Sequence, residues 1–107
     1  MNITIVGAGN IGTQIAVHCA SKGHKAKIYT SKHNLFSKVL NIVDENGQTI
    51  LKGEIDCATD DTALSFSDAD LVFVTVPAFY MQKTAQTMLP YLKNGAKICL
   101  VPGSGGG

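Results

Sequence analysis

The chain opens Asn2-Ile3-Thr4-Ile5-Val6-Gly7-Ala8-Gly9-Asn10-Ile11-Gly12, and this stretch decides the fold. Ile3-Thr4-Ile5-Val6 is a β-branched apolar run cut off by glycine, the pattern of a strand buried on both faces. The glycines at positions 7, 9 and 12 follow the Gly-x-Gly-x-x-Gly spacing. That spacing alone is weak; its place between a strand and a helix, opening a strand–helix–strand unit, makes it specific. Gly7 permits the tight turn out of the strand. Gly9 lets backbone approach a pyrophosphate with no Cβ in the way, and Gly12 lets the helix pack close to the strand. The helix N-terminus adds unpaired N–H groups and about half a positive charge. Gly7, Ala8, Gly9, Asn10, Ile11 and Gly12 are therefore candidate dinucleotide-binding residues.

Outward from this loop, strands and helices alternate. Residues 10–22 place Ile11, Ile15, Val17 and Cys19 at helical spacings, and Gly23 supplies a C-terminal stop. Residues 25–30 read as a second strand with Ala26 and Ile28 on one face, and residues 31–38 as a short helix or turn. Residues 40–43 and 49–55 flank Asp44-Glu45-Asn46-Gly47, where Asn-Gly is a strong hairpin signal. Residues 60–66 suit a short helix with acidic residues in its first turn. Leu71-Val72-Phe73-Val74-Thr75-Val76 is the most apolar strand and is expected at the centre of the sheet. Pro77 suits the first position of a helix, whose apolar stripe is Phe79, Met81, Ala85, Met88 and Leu89. Residues 96–101 give a last strand. The alternation implies an α/β fold of Rossmann type: a doubly wound, mostly parallel sheet with a β-hairpin insertion.

The end of the second strand separates the two nicotinamide dinucleotides. An acidic residue about 20 residues past the loop accepts a hydrogen bond from the ribose 2′-hydroxyl of NAD. Here the strand ends Ile28-Tyr29-Thr30-Ser31-Lys32, without a carboxylate. Thr30 and Ser31 offer hydroxyl donors and Lys32 a positive charge, which suit a 2′-phosphate. NADP is favoured over NAD.

At 107 residues, 45% apolar and 16% charged, the chain suits one globular domain and argues against disorder. A net charge of +1 excludes a strong field toward nucleic acid or an anionic membrane, so any anion site must be local. No apolar run approaches the roughly 20 residues that cross a bilayer, and the N-terminus has no signal-peptide layout. Cys19, Cys57 and Cys99 are odd in number and far apart, the pattern of reduced thiols in a cytoplasmic protein and not of a metal site.

Two later stretches narrow the reading: Phe73-Val74-Thr75-Val76-Pro77-Ala78 and Leu100-Val101-Pro102-Gly103-Ser104-Gly105-Gly106. A Val-Pro-Ala turn followed later by Val-Pro-Gly-Ser-Gly-Gly resembles the octopine/nopaline (opine) dehydrogenase family, to which ketopantoate reductase and glycerol-3-phosphate dehydrogenase are related. The resemblance implies an NAD(P)-dependent oxidoreductase acting on a small imino or keto acid. It also implies that Val76, Pro77 and Ala78 line the cofactor beside the adenosine ribose and pyrophosphate, and that residues 103–107 lead toward the nicotinamide. Members of the family carry a helical C-terminal domain that supplies the catalytic histidine and the substrate contacts. Residues 1–107 are thus expected to be the N-terminal NAD(P)-binding domain of a longer two-domain enzyme, inactive alone. A bare sheet edge in such a fragment makes self-association an expectation. Nucleotide-sensing regulatory domains share the glycine spacing, but they generally carry an acidic residue where Thr30 stands and lack both Val-Pro stretches.

No catalytic residue is assigned. His18 lies within the first helix, His24 at the turn into the second strand, and His33 just beyond Lys32, none placed to reach a reacting carbon. Asp60, Asp61, Asp68 and Asp70 read as helix-start and turn carboxylates, and Ser104 has no base partner. Phe79 and Tyr80 follow Pro77 closely, so exposure decides whether either one faces the cofactor.

Overall fold

The computed structural model describes residues 1–7, 10–31, 39–76 and 78–101. In chain order its elements are β1 (Asn2–Val6), α1 (Asn10–Ser21), β2 (Lys25–Tyr29), β3 (Val39–Val43), β4 (Thr49–Glu54), β5 (Cys57–Thr59), α2 (Thr62–Phe66), β6 (Leu71–Val74), α3 (Ala78–Met88), a 3-10 turn (Leu89–Tyr91) and β7 (Lys97–Leu100). β1 is the middle of a five-stranded sheet ordered β5-β2-β1-β6-β7, all of whose pairings are parallel. This is the Rossmann-type α/β arrangement expected from the alternation of elements. The expectation for β6 needs correcting: it is interior but sits one strand off centre, between β1 and β7. β1 takes the middle because chain is laid down on both of its sides.

Alternation along β1 sends its residues to two different cores. Ile3 and Ile5 meet Ala16 of α1 together with Ala26, Ile28 and Ile55. Val6 joins Val72 and Val74 against Phe66, Ala69 and Met88, on the face covered by α2 and α3. Thr4, on that same face, is buried in the sheet, and its hydroxyl donates to the Ser65 carbonyl of α2. Lys27, opposite Thr4 in the register, is buried too. Its ammonium donates to the Leu64 carbonyl at 3.0 Å and to Asp68 at 3.1 Å, closing the end of α2 with a cation. Both faces of β2 are therefore covered, which alternation in the sequence alone did not suggest.

Gly23, at φ +89°, ends α1; its N–H donates to the Ala20 carbonyl at 3.1 Å and the next N–H to Cys19 at 3.1 Å. β3 and β4 form the expected antiparallel hairpin. The Asp44 carboxylate accepts from Asn46 and Gln48 N–H groups, each at 2.9 Å, and Gly47 turns at φ +82°. The hairpin stays apart from the main sheet and lies on α1. At buried Gly53 a Cβ would stand 2.7 Å from the Val17 carbonyl oxygen, so β4 rests on helix backbone.

Two further departures have simple causes. β5 was not expected; at three residues it is too short to show a period, and pairing with β2 makes it a strand. Leu89, assigned to the apolar stripe, is 57% exposed because the α-helix gives way to the 3-10 turn at Pro90, whereas Met88 is buried.

Candidate cofactor-binding site

The chain runs from β1 outward through β2 to β5, then crosses back under α2 to place β6 on the other side of β1. The carboxyl ends of β1 and β6 are therefore the switch point of the sheet, where open α/β sheets bind ligands. The geometry there is tight. The Val6 carbonyl accepts the Thr75 N–H at 2.9 Å and the Thr75 hydroxyl at 2.8 Å. Gly7 bends away at φ +115°, its N–H donating to the Tyr29 carbonyl at 3.2 Å. A Cβ on Gly7 would overlap the Thr75 hydroxyl, and one on Gly12 would stand 2.6 Å from the Gly7 carbonyl oxygen. The first turn of α1 carries no acidic residue to offset its positive end.

A cleft of about 360 Å³ opens from this point. Val6, Gly7 and Val76 form its inner end, and Tyr29, Thr30 and Ser31 one wall, with Asp60 beside them. Thr30 is buried and anchored to the end of β5, its N–H donating to the Thr59 carbonyl at 2.9 Å. Tyr80, Lys83, Thr84 and Thr87 of α3 form the other wall. They recur at helical spacing on a flank adjoining the packed Met81, Ala85 and Met88. Among the described residues lining the cleft, Lys83 is the one cation and Asp60 the one carboxylate.

Of the residues singled out from sequence, Gly7, Thr30, Ser31 and Val76 line this cleft, and Ile11 and Gly12 lie in the first turn of α1. Asn10 and Ala78 are the first residues of α1 and α3. Ala8, Gly9, Lys32 and Pro77 lie outside the described residues, as do His33 and the loop at 102–107. Tyr80, left open between core and cofactor, is 50% exposed and faces the cleft. Lys83, Thr84, Thr87 and the site position of Asp60 were missed. The polar stripe Tyr80, Lys83/Thr84, Thr87 was the available signal, hidden by attention to the apolar face of the same helix.

The other candidates fall elsewhere. His18 and His24 border a separate apolar groove with Ile3, Cys19, Leu71 and Phe73, where burial pushes the Cys19 thiol up and nearby Lys22 pulls it the other way. Asp61 caps α2, accepting the Leu64 N–H at 3.0 Å, and Asp68 pairs with Lys27. Asp70 stands at the amino ends of the strands, bonded to Asn2 and Lys93. No group of three or more His, Cys, Asp or Glu able to hold a metal occurs among the described residues. No helix among them is long and apolar enough to cross a membrane.

A parallel sheet ordered about a switch point, a glycine bend from β1 toward the start of α1 and an open cleft at that bend define a dinucleotide-binding domain of Rossmann type. Comparison with known proteins then specifies the family. The chain belongs to the family described as NAD-dependent glycerol-3-phosphate dehydrogenase N-terminus, which matches residues 2–102. It is 27% identical over 110 residues to an opine dehydrogenase of Arthrobacter sp. (strain 1C), covering 96% of this chain and 30% of that protein. It is 30% identical over 101 residues to glycerol-3-phosphate dehydrogenase [NAD(P)+] of Moorella thermoacetica, covering 91% of this chain and 30% of that protein. Among solved structures, octopine dehydrogenase with NADH and L-arginine superposes with a TM-score of 0.80 at 26% identity, over 94% of this chain and 28% of that one. The chain thus spans about 30% of the length of the curated relatives it matches.

Proposed function

We propose that this chain is the cofactor-binding portion of an NAD(P)-dependent oxidoreductase, taking NADP(H) ahead of NAD(H). The reading rests on the cleft at the carboxyl end of the sheet, which runs from Gly7 past Thr30 and Ser31 with no carboxylate at the end of β2. Without Cβ atoms, Gly7 packs against Thr75 and Gly12 against the Gly7 carbonyl, the close approach of strand, turn and helix that a pyrophosphate site uses. Thr30 and Ser31 hydroxyls and the Lys83 ammonium suit a 2′-phosphate; Asp60 is the opposing charge. When bound, the nicotinamide supplies hydride chemistry at a C=N or C=O carbon. The residues of this chain bind, orient and supply the phosphate electrostatics. Substrate contacts and the proton come from a part of the protein beyond residues 1–107, and the substrate is a small imino or keto acid. The exposed Ile98 and Leu100 of edge strand β7 support a larger assembly, by further chain or by self-association.

The test is calorimetric titration with NADPH and NADH at moderate salt. NADPH should bind the more tightly; equal or reversed affinity would remove the preference, and no binding of either would remove the reading. A second substrate reading, glycerol 3-phosphate oxidised at its secondary alcohol, is favoured by the family match. Assays of a protein containing these residues with pyruvate plus an amino acid, against dihydroxyacetone phosphate, separate the two.

A further inference from the structure

We propose that the Thr75 hydroxyl is a positioning group for the dinucleotide: it fixes where the phosphate loop leaves the sheet, and pyrophosphate affinity depends on it. The proposal rests on the dinucleotide-binding reading above. Thr75 lies one residue past β6. Its backbone N–H already donates to the Val6 carbonyl at 2.9 Å, continuing the ladder. The hydroxyl adds a second hydrogen bond to the same oxygen at 2.8 Å, so both lone pairs at the end of β1 are engaged from one residue.

The Thr75 hydroxyl oxygen occupies the space the glycines leave. A Cβ on Gly7 would run into it, and a Cβ on Gly12 would stand 3.1 Å from it. The end of β1, the bend at Gly7 and the first turn of α1 are thereby indexed against a single atom. Threonine suits this task because its branched Cβ restricts χ1, so the backbone of β6 dictates where the hydroxyl stands. Among the described residues Gly7 also donates its N–H to the Tyr29 carbonyl, at 3.2 Å, long for such a bond. Binding phosphate through backbone N–H groups needs those groups held to within about half an ångström, and the Thr75 hydroxyl adds a fixed reference beyond that one long bond.

Two variants of the 107-residue chain test this: Thr75→Val, which keeps the shape and removes the donor, and Thr75→Ser, which keeps the donor. NADPH affinity is measured by calorimetry, and amide hydrogen exchange of Gly7 and Ile5 by NMR. Thr75→Val should weaken NADPH about ten-fold and speed exchange at Gly7, while Ile5 in the core of β1 keeps its protection. Thr75→Ser, with the donor kept but χ1 freer, should fall between the parent and Thr75→Val, within about three-fold of the parent on both counts. Wild-type affinity in Thr75→Val, equal weakness in Thr75→Ser, or loss of Ile5 protection in step with affinity would each overturn the proposal. If the parent chain binds no NADPH, the dinucleotide reading fails by itself. Exchange at Gly7 then still decides the pin: faster in Thr75→Val supports it, unchanged overturns it.

Discussion

The two ends of the parallel sheet are finished in opposite ways. At the amino ends of the strands a charged side chain closes the edge. Asp70 accepts the Asn2 N–H at 2.8 Å, its own N–H donates to the Asn2 carbonyl at 2.8 Å, and Lys93 pairs with its carboxylate. Lys97 adds an N–H bond to the Asp70 carbonyl at 3.0 Å, so β1, β6 and β7 are tied at one residue. At the carboxyl ends side chains are absent or short: Gly7, Thr30 and Ser31 line an open cleft. The amino end spends its polar groups on itself, while the carboxyl end keeps room for a ligand. Changes at the two ends should therefore read out differently, in binding at one and in stability at the other.

The sharpest break of this contrast is Gly12→Val. Its Cβ would stand 2.6 Å from the Gly7 carbonyl, a backbone atom that no rotamer change can move. The variant should lose detectable NADPH binding and, through overpacking, about 1–3 kcal/mol of stability. Calorimetry and urea unfolding measure the two; retained affinity would show that helix and loop need not approach so closely.

A smaller effect belongs to the cleft walls. Lys83→Gln should weaken NADPH about five-fold, the scale of one exposed ion pair, and leave NADH within about two-fold. Asp60→Asn should move NADPH the other way, tightening it about three-fold by removing a like charge. Both effects should shrink as salt is raised, since the groups are exposed. An equal loss of NADH in Lys83→Gln would place Lys83 away from the 2′ position.

What the sequence disclosed and what it hid follow the same line. The glycine spacing, the buried first strand and the Asn-Gly hairpin are local signals, each set by a few adjacent residues, and the fold follows from them. β5 was not legible because Cys57–Thr59 becomes a strand only by pairing with β2. Burial of Lys27 was hidden for a similar reason: the carbonyl and carboxylate it bonds lie 37 and 41 residues away. On the site side, Gly7, Thr30 and Ser31 were found as residues adjacent to recognisable strand ends, and Val76 through the family resemblance. Asp60 was not, because it reaches the site only through the pairing of β5 with β2. Lys83 and Thr75 were not, because only the crossing of the chain back to β6 brings them to this end of the sheet.

The smallest effect, and the one that tests the amino end, is Asp70→Asn. The Lys93 side-chain bond, with the Asn2 N–H behind it, holds the Asp70 carboxyl below its ordinary value. A carboxylate whose folded value is depressed contributes stability that is fully present above the unfolded value, about 3.9, and is lost as pH falls through the folded one. Asparagine keeps the shape and an acceptor but has no proton to lose in this range. The variant should therefore unfold at lower urea than the parent at pH 7, and the two midpoints should converge as pH drops below about 4. NADPH affinity at pH 7 should not change, since Asp70 lies at the end of the sheet away from the cleft. A midpoint difference that persists at low pH would mean the carboxylate charge is not what fastens this end. A loss of NADPH affinity would mean the two ends are coupled through β6, and the division of labour between them would not hold.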